Sequence, residues 1–284
     1  VSRGDRVLLS CITSCGICEN CRHRRYGLCT GGGGWILGHL IDGTQAEQVL
    51  VPYADHSVYR IPDTLTSEQM LLLADILPTS YEVGALNGSV QPADVVVIVG
   101  MGPIGLAATL TTALFAPRTI VAVDVIDSRL ETAAALGADV VINSNRDDPR
   151  AIIDELTDGL GADVAIEAVG LPDTFELAVA LARRGGHVAN VGVHGRPASL
   201  PLDRIWDADL TITTGLVDTS SIPTLSRLIQ AGKLDASALI SHRYELDDID
   251  AAYETFAGAA DTDALKVVLN PPGADARHQG LVGG

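Results

Sequence analysis

No cysteine follows Cys29, no window forms a long uncharged apolar run, and cations are scarce, with 19 Lys and Arg against 36 Asp and Glu in 284 residues. Each shortage excludes something. Without an apolar run of about 20 residues there is no candidate membrane-spanning helix, and the first residues lack the pattern of a signal peptide. A formal charge of -17 excludes an extended surface for nucleic acid or acidic lipid, so the short basic run Arg22, His23, Arg24, Arg25 reads as a local feature. Cysteines confined to Cys11 through Cys29 exclude a disulfide framework, which would be spread along the fold. They point to a metal site in a reducing, cytoplasmic compartment. What is present is a globular chain, 47% hydrophobic and long enough for two domains.

The chain turns on Val95 to Asp124. An apolar β-branched run, Val95 to Val99, passes through Gly100, Gly102 and Gly105 into a helical segment of small residues. A second apolar run then ends on Asp124, about 20 residues beyond the glycines, where a ribose-binding acid belongs. The first glycine allows a tight turn, the second lets a pyrophosphate approach the backbone, and the third lets the helix lie close on the strand. The helix N-terminus, beginning at Pro103 and Ile104, offers unpaired N–H groups to the phosphates. The competing reading is a plain strand-to-helix turn with a solvated Asp124. If Asp124 does meet the ribose, it favours NAD, because the 2′-phosphate of NADP would face it at about 4 kcal/mol for charges about 4 Å apart at intermediate dielectric.

Cys15, Cys18, Cys21 and Cys29 follow the spacing C-x2-C-x2-C-x7-C, which supplies four thiolates to a closed tetrahedral zinc site. Gly16 and Gly27 ease the reversals that aim the sulfurs inward. Such a site is structural, because no position stays open; an iron–sulfur cluster is the rival. Cys11 is the odd cysteine, read as a buried free thiol in preference to a reactive one.

From Gly31 to Pro62 irregular strands are expected, including the apolar runs Trp35 to Leu40 and Ala46 to Pro52, with His39 packed or at the surface and not a ligand. Ser67 to Leu77 reads as a helix with one apolar face, interrupted by Asp75, for which a solvated helix end is the plain explanation. Strands are then expected at Val95 to Val99, Ile120 to Val123, Val140 to Ile142, Val164 to Ile166, His187 to Val193 and Leu210 to Thr214. Helices are expected between the first five, at Pro103 to Phe115, Ser128 to Leu136, Pro149 to Leu156 and Asp173 to Ala182. This alternation predicts an α/β fold whose doubly wound parallel six-stranded Rossmann sheet has order 3-2-1-4-5-6. The cofactor should cross the strand ends near the glycine turn, Val169 to Gly170, and Val191, Gly192 and Val193. Ile222 to Ala231, Leu239 to Leu246, Asp248 to Ala257 and Leu265 to Leu269 read as helix, strand, helix and strand returning to the first domain. The expected domains are 1–76, 77–217 and 218–270, with a disordered tail over 271–284 rich in Pro, Gly and polar residues.

Taken together, the cysteine lobe, the glycine turn and the returning C-terminal segment resemble the zinc-dependent alcohol dehydrogenases of the medium-chain dehydrogenase/reductase superfamily. The resemblance covers Gly4 to Asn270. It implies that residues outside the Rossmann sheet form part of a GroES-like β-rich catalytic domain. It also implies that Cys15, Cys18, Cys21 and Cys29 bind structural zinc, and that Asp75, in Ala-Asp-Ile-Leu-Pro-Thr, occupies the third catalytic-zinc ligand position. Thr79 corresponds to the residue beside the nicotinamide and Ile104 to the one behind it. Arg129 lies where a basic residue meets the adenosine ribose, and Lys266 where one reaches the pyrophosphate, there as Lys without the two-pronged contact of Arg. The family's first catalytic-zinc Cys, proton-relay hydroxyl and Gly-His-Glu segment would precede Val1, and Gly38-His39-Leu40 does not replace them. The chain is therefore expected to be N-terminally truncated, with one catalytic-zinc ligand of three, and to hold catalytic zinc poorly. The activity implied for the complete protein is reversible hydride transfer between an alcohol or aldehyde and NAD, with a zinc acting as Lewis acid on the alcohol oxygen. The alternatives are the glutathione-independent formaldehyde dehydrogenase branch with aldehyde dismutation, a zinc-free quinone or enoyl reductase, and a non-catalytic NAD- and zinc-binding module. Pairing through the sixth strand, Leu210 to Thr214, implies a homodimer or homotetramer.

Overall fold

The structure is a computed structural model and describes residues 1–271. The expected tail beyond Pro271 lies outside the described residues. The chain forms two compact units, Val1–Ala74 with the segment from Asp218 onward, and Asp75–Val217. Its strands are β1 (Val7–Leu9), β2 (Val58–Arg60), β3 (Val95–Val99), β4 (Thr119–Asp124), β5 (Val140–Asn143), β6 (Ala162–Glu167), β7 (Ala182–Asn190), β8 (Thr211–Thr214), β9 (Ile240–Glu245) and β10 (Lys266–Asn270).

In the 75–217 unit six strands form one parallel sheet in the order β5-β4-β3-β6-β7-β8, the expected doubly wound arrangement. β3 is central, and all five of its residues are buried, as a parallel strand covered on both faces requires. The helices Pro103–Ala113, Asp127–Ala135, Pro149–Leu156 and Pro172–Leu181 alternate with the strands. Asp148 caps the third, accepting from Arg150 N at 3.0 Å, and Pro149 fills its first turn. Val97, Val121, Ile142 and Val188 of the sheet pack with Ile153, Ala178 and Leu181 of the helices in one core cluster. At the sheet's starting edge two carboxylates satisfy strand amides: Asp163 accepts from Val95 N at 2.8 Å, and Asp139 from Ile120 N at 2.8 Å. Asp163 also takes Arg183 Nε at 2.6 Å.

The other strands of this sheet end within two residues of expectation, and β7 does not. It begins at Ala182, where His187 was expected, and ends at Asn190 instead of Val193. Its polar start, Arg183-Arg184-Gly185-Gly186, conceals it, while at its finish the Val191 amide makes the last ladder bond to the Glu167 carbonyl at 2.8 Å and the Gly192 amide turns onto the same oxygen at 3.1 Å.

In the other unit β1 pairs antiparallel with β2, and β9 pairs parallel with β10. Thr66 opens the helix Ser67–Leu71 with a reciprocal cap: Gln69 N donates to its hydroxyl, and its own N–H donates to the Gln69 side chain. The continuous helix expected to Leu77 is not formed. Leu72–Ala74 tighten into a 3-10 turn, and Asp75 leaves helical geometry at φ -151° and ψ -71° before Ile76–Thr79 resumes. A π-helical stretch, Ser80–Leu86, follows in the second unit. The irregular strands expected over Gly31 to Pro62 reduce to β2 and isolated bridges, Thr13 with Gly34 and Leu37 with Ile41; Ala46 to Leu50 is coil. His39 is an exposed residue stacked on Trp35, ring centroids 4.1 Å apart.

The segment after Val217 carries the helices Ile222–Gln230 and Ile249–Ala257 with β9 and β10. It is tied to the chain's first residues by side chains far apart in sequence. Ser10 Oγ lies 2.6 Å from Thr219 Oγ1, and Gly27 N donates to Asp218 Oδ1 at 2.8 Å. Arg243 grips Glu68 with Nε and an Nη at 2.7 and 2.8 Å.

That last pair makes stability depend on pH. The Arg243 hydrogen bond holds the Glu68 carboxyl below its ordinary value of 4.5 against the opposing effect of burial. The stabilisation is therefore complete above the unfolded value and is lost as pH falls through the lower folded value. Arg243→Met should lower stability at neutral pH by about 0.5 kcal/mol and flatten the fall in unfolding midpoint below pH 4.5; urea titrations across that range measure both.

Candidate functional site

The glycine turn is built by three residues with different needs. Gly100 has φ +97°, and a Cβ there would lie 2.2 Å from the Val169 side chain, so conformation and packing both require glycine. At Gly105 a Cβ would lie 1.7 Å from the Gly100 carbonyl oxygen, which lets the helix close on the strand. Gly102 is different. Its φ of -69° suits any residue, and a Cβ built on it meets nothing within 4 Å. A glycine is accepted at a helix N-cap, and here it also leaves open space in front of the backbone, where a ligand could lie close. Gly102 caps the helix Pro103–Ala113, which starts with Pro103 and has no side-chain cap. The Ile104 and Gly105 amides are among the helix's first-turn donors, suited to phosphate oxygens. Ser80 Oγ donates to the Ile104 carbonyl at 2.9 Å and fixes the residue expected behind the nicotinamide.

Asp124 ends β4 and is only 9% exposed. It accepts from Met101 N at 2.5 Å on Oδ2, and from Val125 N at 2.7 Å and Ile126 N at 2.9 Å on Oδ1. The carboxylate is thereby fixed beside the glycine turn, and the solvated alternative is corrected. Arg129 lies half-buried on the next helix. Asp127, at that helix's start, takes a two-pronged contact from Arg146 at 2.7 and 2.8 Å; the Arg146 and Asn143 hydrogen bonds hold its carboxyl down to about 2. At the ends of β6 and β7, Val169 is partly exposed, Gly192 half-buried and Val193 91% exposed.

Asp75 and Thr79 are in contact, the Thr79 hydroxyl donating to Asp75 Oδ1 at 2.7 Å. Among the described residues the one cluster of three or more metal-ligating side chains is that of the four cysteines, and Asp75 is not part of it. Lys266 belongs to β10 in the other unit and lines a cavity of about 230 Å³ with Gln45, Tyr253 and Phe256. Cys11 is half-buried, not buried as expected, and lines a cavity of about 1140 Å³ in its unit.

The four sulfurs of Cys15, Cys18, Cys21 and Cys29 all lie within 4.8 Å of one another, Cys15 Sγ and Cys21 Sγ 3.9 Å apart. A tetrahedron with zinc–sulfur bonds of 2.3 Å has edges of about 3.8 Å, so the cluster fits zinc. Cys18 caps the short helix Glu19–Arg22, and Cys21 is the buried residue within it. Backbone amides stabilise thiolates here. The Cys21 amide, then that of Thr30, brings the Cys18 thiol down to about 5. Burial pushes the Cys29 thiol up, but the amides of Cys15, Gly31 and Gly33 outweigh it and leave the thiol lowered. Burial pushes Cys21 up to about 12, so a thiolate there calls for a cation beside it.

Gly31 and Gly33 were missed as parts of this site. A Cβ on Gly31 would lie 2.5 Å from Cys15 Sγ, and one on Gly33 3.1 Å from Cys29 Sγ, so the glycine run wraps the sulfurs. The signal was its adjacency to Cys29. Gly16 has the expected left-handed turn at φ +74°, whereas Gly27 lies in the 3-10 turn Tyr26–Leu28 and is not among the left-handed glycines.

Comparison with known proteins bears on both sites. Residues 103–231 match the family model described as zinc-binding dehydrogenase, and residues 1–63 match that of the alcohol dehydrogenase GroES-like domain. An alcohol dehydrogenase of Cupriavidus necator is 40% identical over 242 residues, covering 84% of this chain and 66% of that protein. The chain thus spans just under two thirds of that relative. The solved structure of zinc dependent alcohol dehydrogenase 2 from Streptococcus pneumonia, in its apo form, is similar at TM-score 0.90 and 43% identity, over 95% of this chain and 78% of that one. An alcohol dehydrogenase from a Thermus species has TM-score 0.87 at 34% identity, over 94% and 77%.

Cys21→Ser should lose the lobe's zinc and with it most of a contribution of about 10–16 kcal/mol to local folding. Zinc content per chain and limited proteolysis of residues 15–34 measure this; a protease-resistant variant with one zinc per chain contradicts the assignment.

Proposed function

Because the chain belongs to the zinc-binding alcohol dehydrogenases of the medium-chain dehydrogenase/reductase superfamily, we propose that its 75–217 unit binds NAD and that the protein transfers hydride between a small alcohol or aldehyde and that cofactor. The glycine turn carries the reading: Gly100 and Gly105 close the helix onto the strand, and Gly102 leaves the backbone open in front of the helix N-terminus, where a pyrophosphate fits. Bound there, NAD supplies a nicotinamide carbon that accepts or returns hydride. The chain's own residues bind and orient. Ile104 and Gly105 offer helix-end amides to the phosphates. Asp124, held by three backbone amides, two on Oδ1 and one on Oδ2, keeps acceptor capacity on Oδ2 for a ribose hydroxyl and repels a 2′-phosphate. Arg129 is assigned to the adenosine ribose, and Val169, Gly192 and Val193 to the nicotinamide end. Thr79, its hydroxyl oriented by Asp75, is assigned beside the nicotinamide.

Structural zinc on Cys15, Cys18, Cys21 and Cys29 orders the lobe. Asp75 is the residue that would meet a catalytic zinc, whose chemistry would be to polarise the alcohol oxygen. β8 ends the sheet order, and pairing along it would give the homodimer or homotetramer. The four cysteines grouped as metal ligands support a reducing, cytoplasmic setting. No helix among the described residues is long and apolar enough to cross a membrane.

Two substitutions test the cofactor assignment. Gly102→Ser, which keeps a good helix N-cap at an uncrowded position, should leave the unfolding midpoint near that of the parent chain or slightly above it, yet weaken NADH binding about tenfold by occupying the phosphate position. Asp124→Ala should erode the preference for NADH over NADPH. Fluorescence titration reads both, and an unchanged ratio of the two affinities removes Asp124 from its role.

A further inference from the structure

At the far edge of the sheet lies an ionisable group to which the cofactor assignment gives no part. Glu167 ends β6, with Val99 of β3 and Asn190 of β7 as its strand partners, and is 0% exposed. Its Oε1 accepts from Val169 N at 2.9 Å and Gly170 N at 2.8 Å, and lies 2.7 Å from the Thr174 hydroxyl. Its backbone carbonyl takes the Val191 and Gly192 amides at 2.8 and 3.1 Å. One residue therefore anchors both loops assigned to the nicotinamide end.

These loops also touch each other and the glycine turn. A Cβ on Gly170 would lie 2.4 Å from the Val193 carbonyl oxygen, and one on Gly192 would lie 2.4 Å from Glu167 Oε2. The Val169 side chain lies against Gly100. A change in where Glu167 holds Val169 is thus felt at the first glycine of the phosphate turn.

The second carboxylate oxygen is the unusual feature. Oε2 is buried and has no hydrogen-bond partner among the described residues. His194 Nε2 lies 3.6 Å from it, too far for a hydrogen bond. Asn190 fixes that histidine: its Nδ2 donates to the Gly192 carbonyl at 2.9 Å, which turns its Oδ1 toward His194 Nε2 at 2.8 Å. Since Oδ1 only accepts, Nε2 carries a proton. The Phe175 ring meets the imidazole edge-on, centroids 6.0 Å apart. A buried carboxylate oxygen without a donor is costly, and glutamine could not replace the acid freely, because its amide would have to turn N–H groups either toward the Val169 and Gly170 donors or into this unpaired pocket.

The geometry points to Glu167 as a positioning residue for the nicotinamide half of the cofactor, with His194 as its polar neighbour and Asn190 as the residue that orients His194. The carboxylate sets the spacing of the Ala168–Leu171 and Val191–His194 loops. This inference rests on the assignment of NAD to the 75–217 unit.

The test uses the full chain with zinc, and compares NADH with 5′-AMP, which has the adenosine half alone. Glu167→Gln should weaken NADH about tenfold or more, the scale of a lost charge-assisted hydrogen bond, and shift the emission of bound reduced nicotinamide, while 5′-AMP affinity stays within twofold. His194→Gln, at a partly exposed position, should move NADH affinity and emission in the same direction, and the double variant should be no weaker than Glu167→Gln alone. Equal NADH affinity and emission in parent and His194→Gln would overturn the pairing even if Glu167→Gln does not fold. Parallel loss of NADH and 5′-AMP in Glu167→Gln would make Glu167 a general structural residue and overturn the proposal. A parent chain that binds neither ligand would instead overturn the NAD assignment itself, and this inference with it.

Discussion

Strands of a parallel sheet leave amides without partners where they start and stop, and the 75–217 unit answers that constraint with carboxylates. Asp139 and Asp163 take the amides of Ile120 and Val95 at one edge. Asp124 and Glu167 take those of Met101, Val125 and Ile126, and of Val169 and Gly170, at the other. Backbone N–H groups inside a packed fold must be paired, and an ionised acceptor forms the stronger bond. The acidic balance of the chain is thus partly structural. At the second edge the same side chains that terminate strands also shape the loops assigned to the cofactor.

The cysteine lobe meets a different constraint. It has little apolar core of its own: Cys21 is buried, while Ile17 and Leu28 are exposed. Its order comes from sulfur contacts, with amides of Cys15 and Cys18 turned onto Cys29 and Cys15 sulfurs at 3.4 Å and glycines packed where side chains would not fit. A metal held by these four thiolates would stand in for a hydrophobic core.

Much of the sheet was legible because its signals are local. Val95–Val99 is an unbroken β-branched run, and its predicted ends coincide with those of β3. The alternation that followed led to the observed strand order, and the cysteine spacing to a cluster with zinc-like separations. What stayed hidden depends on contacts made across sequence. Glu167 at the end of an apolar run looks like any solvated strand terminus until its burial is known. The break at Asp75 was concealed by an apolar periodicity that runs through it, since backbone geometry there is decided by tertiary packing and not by propensity. β7 was mislaid at both ends, its start hidden by arginines and glycines and its finish by the Gly192 amide, which turns back onto the Glu167 carbonyl that Val191 already meets.

The path of the chain through its two units has a consequence for how the molecule forms. Asp75–Val217 is contiguous, so its sheet can close from segments that emerge one after another during synthesis. The other unit is discontinuous. Ser10 waits for Thr219, Gly27 for Asp218 and Glu68 for Arg243, contacts that close only after the intervening unit has been made. Loop closure over such separations is slow unless the ends are brought near each other. Folding of the sheet shortens that search by gathering Asp75 and Val217 into one compact body, so the order of synthesis makes the second unit the template on which the first is completed.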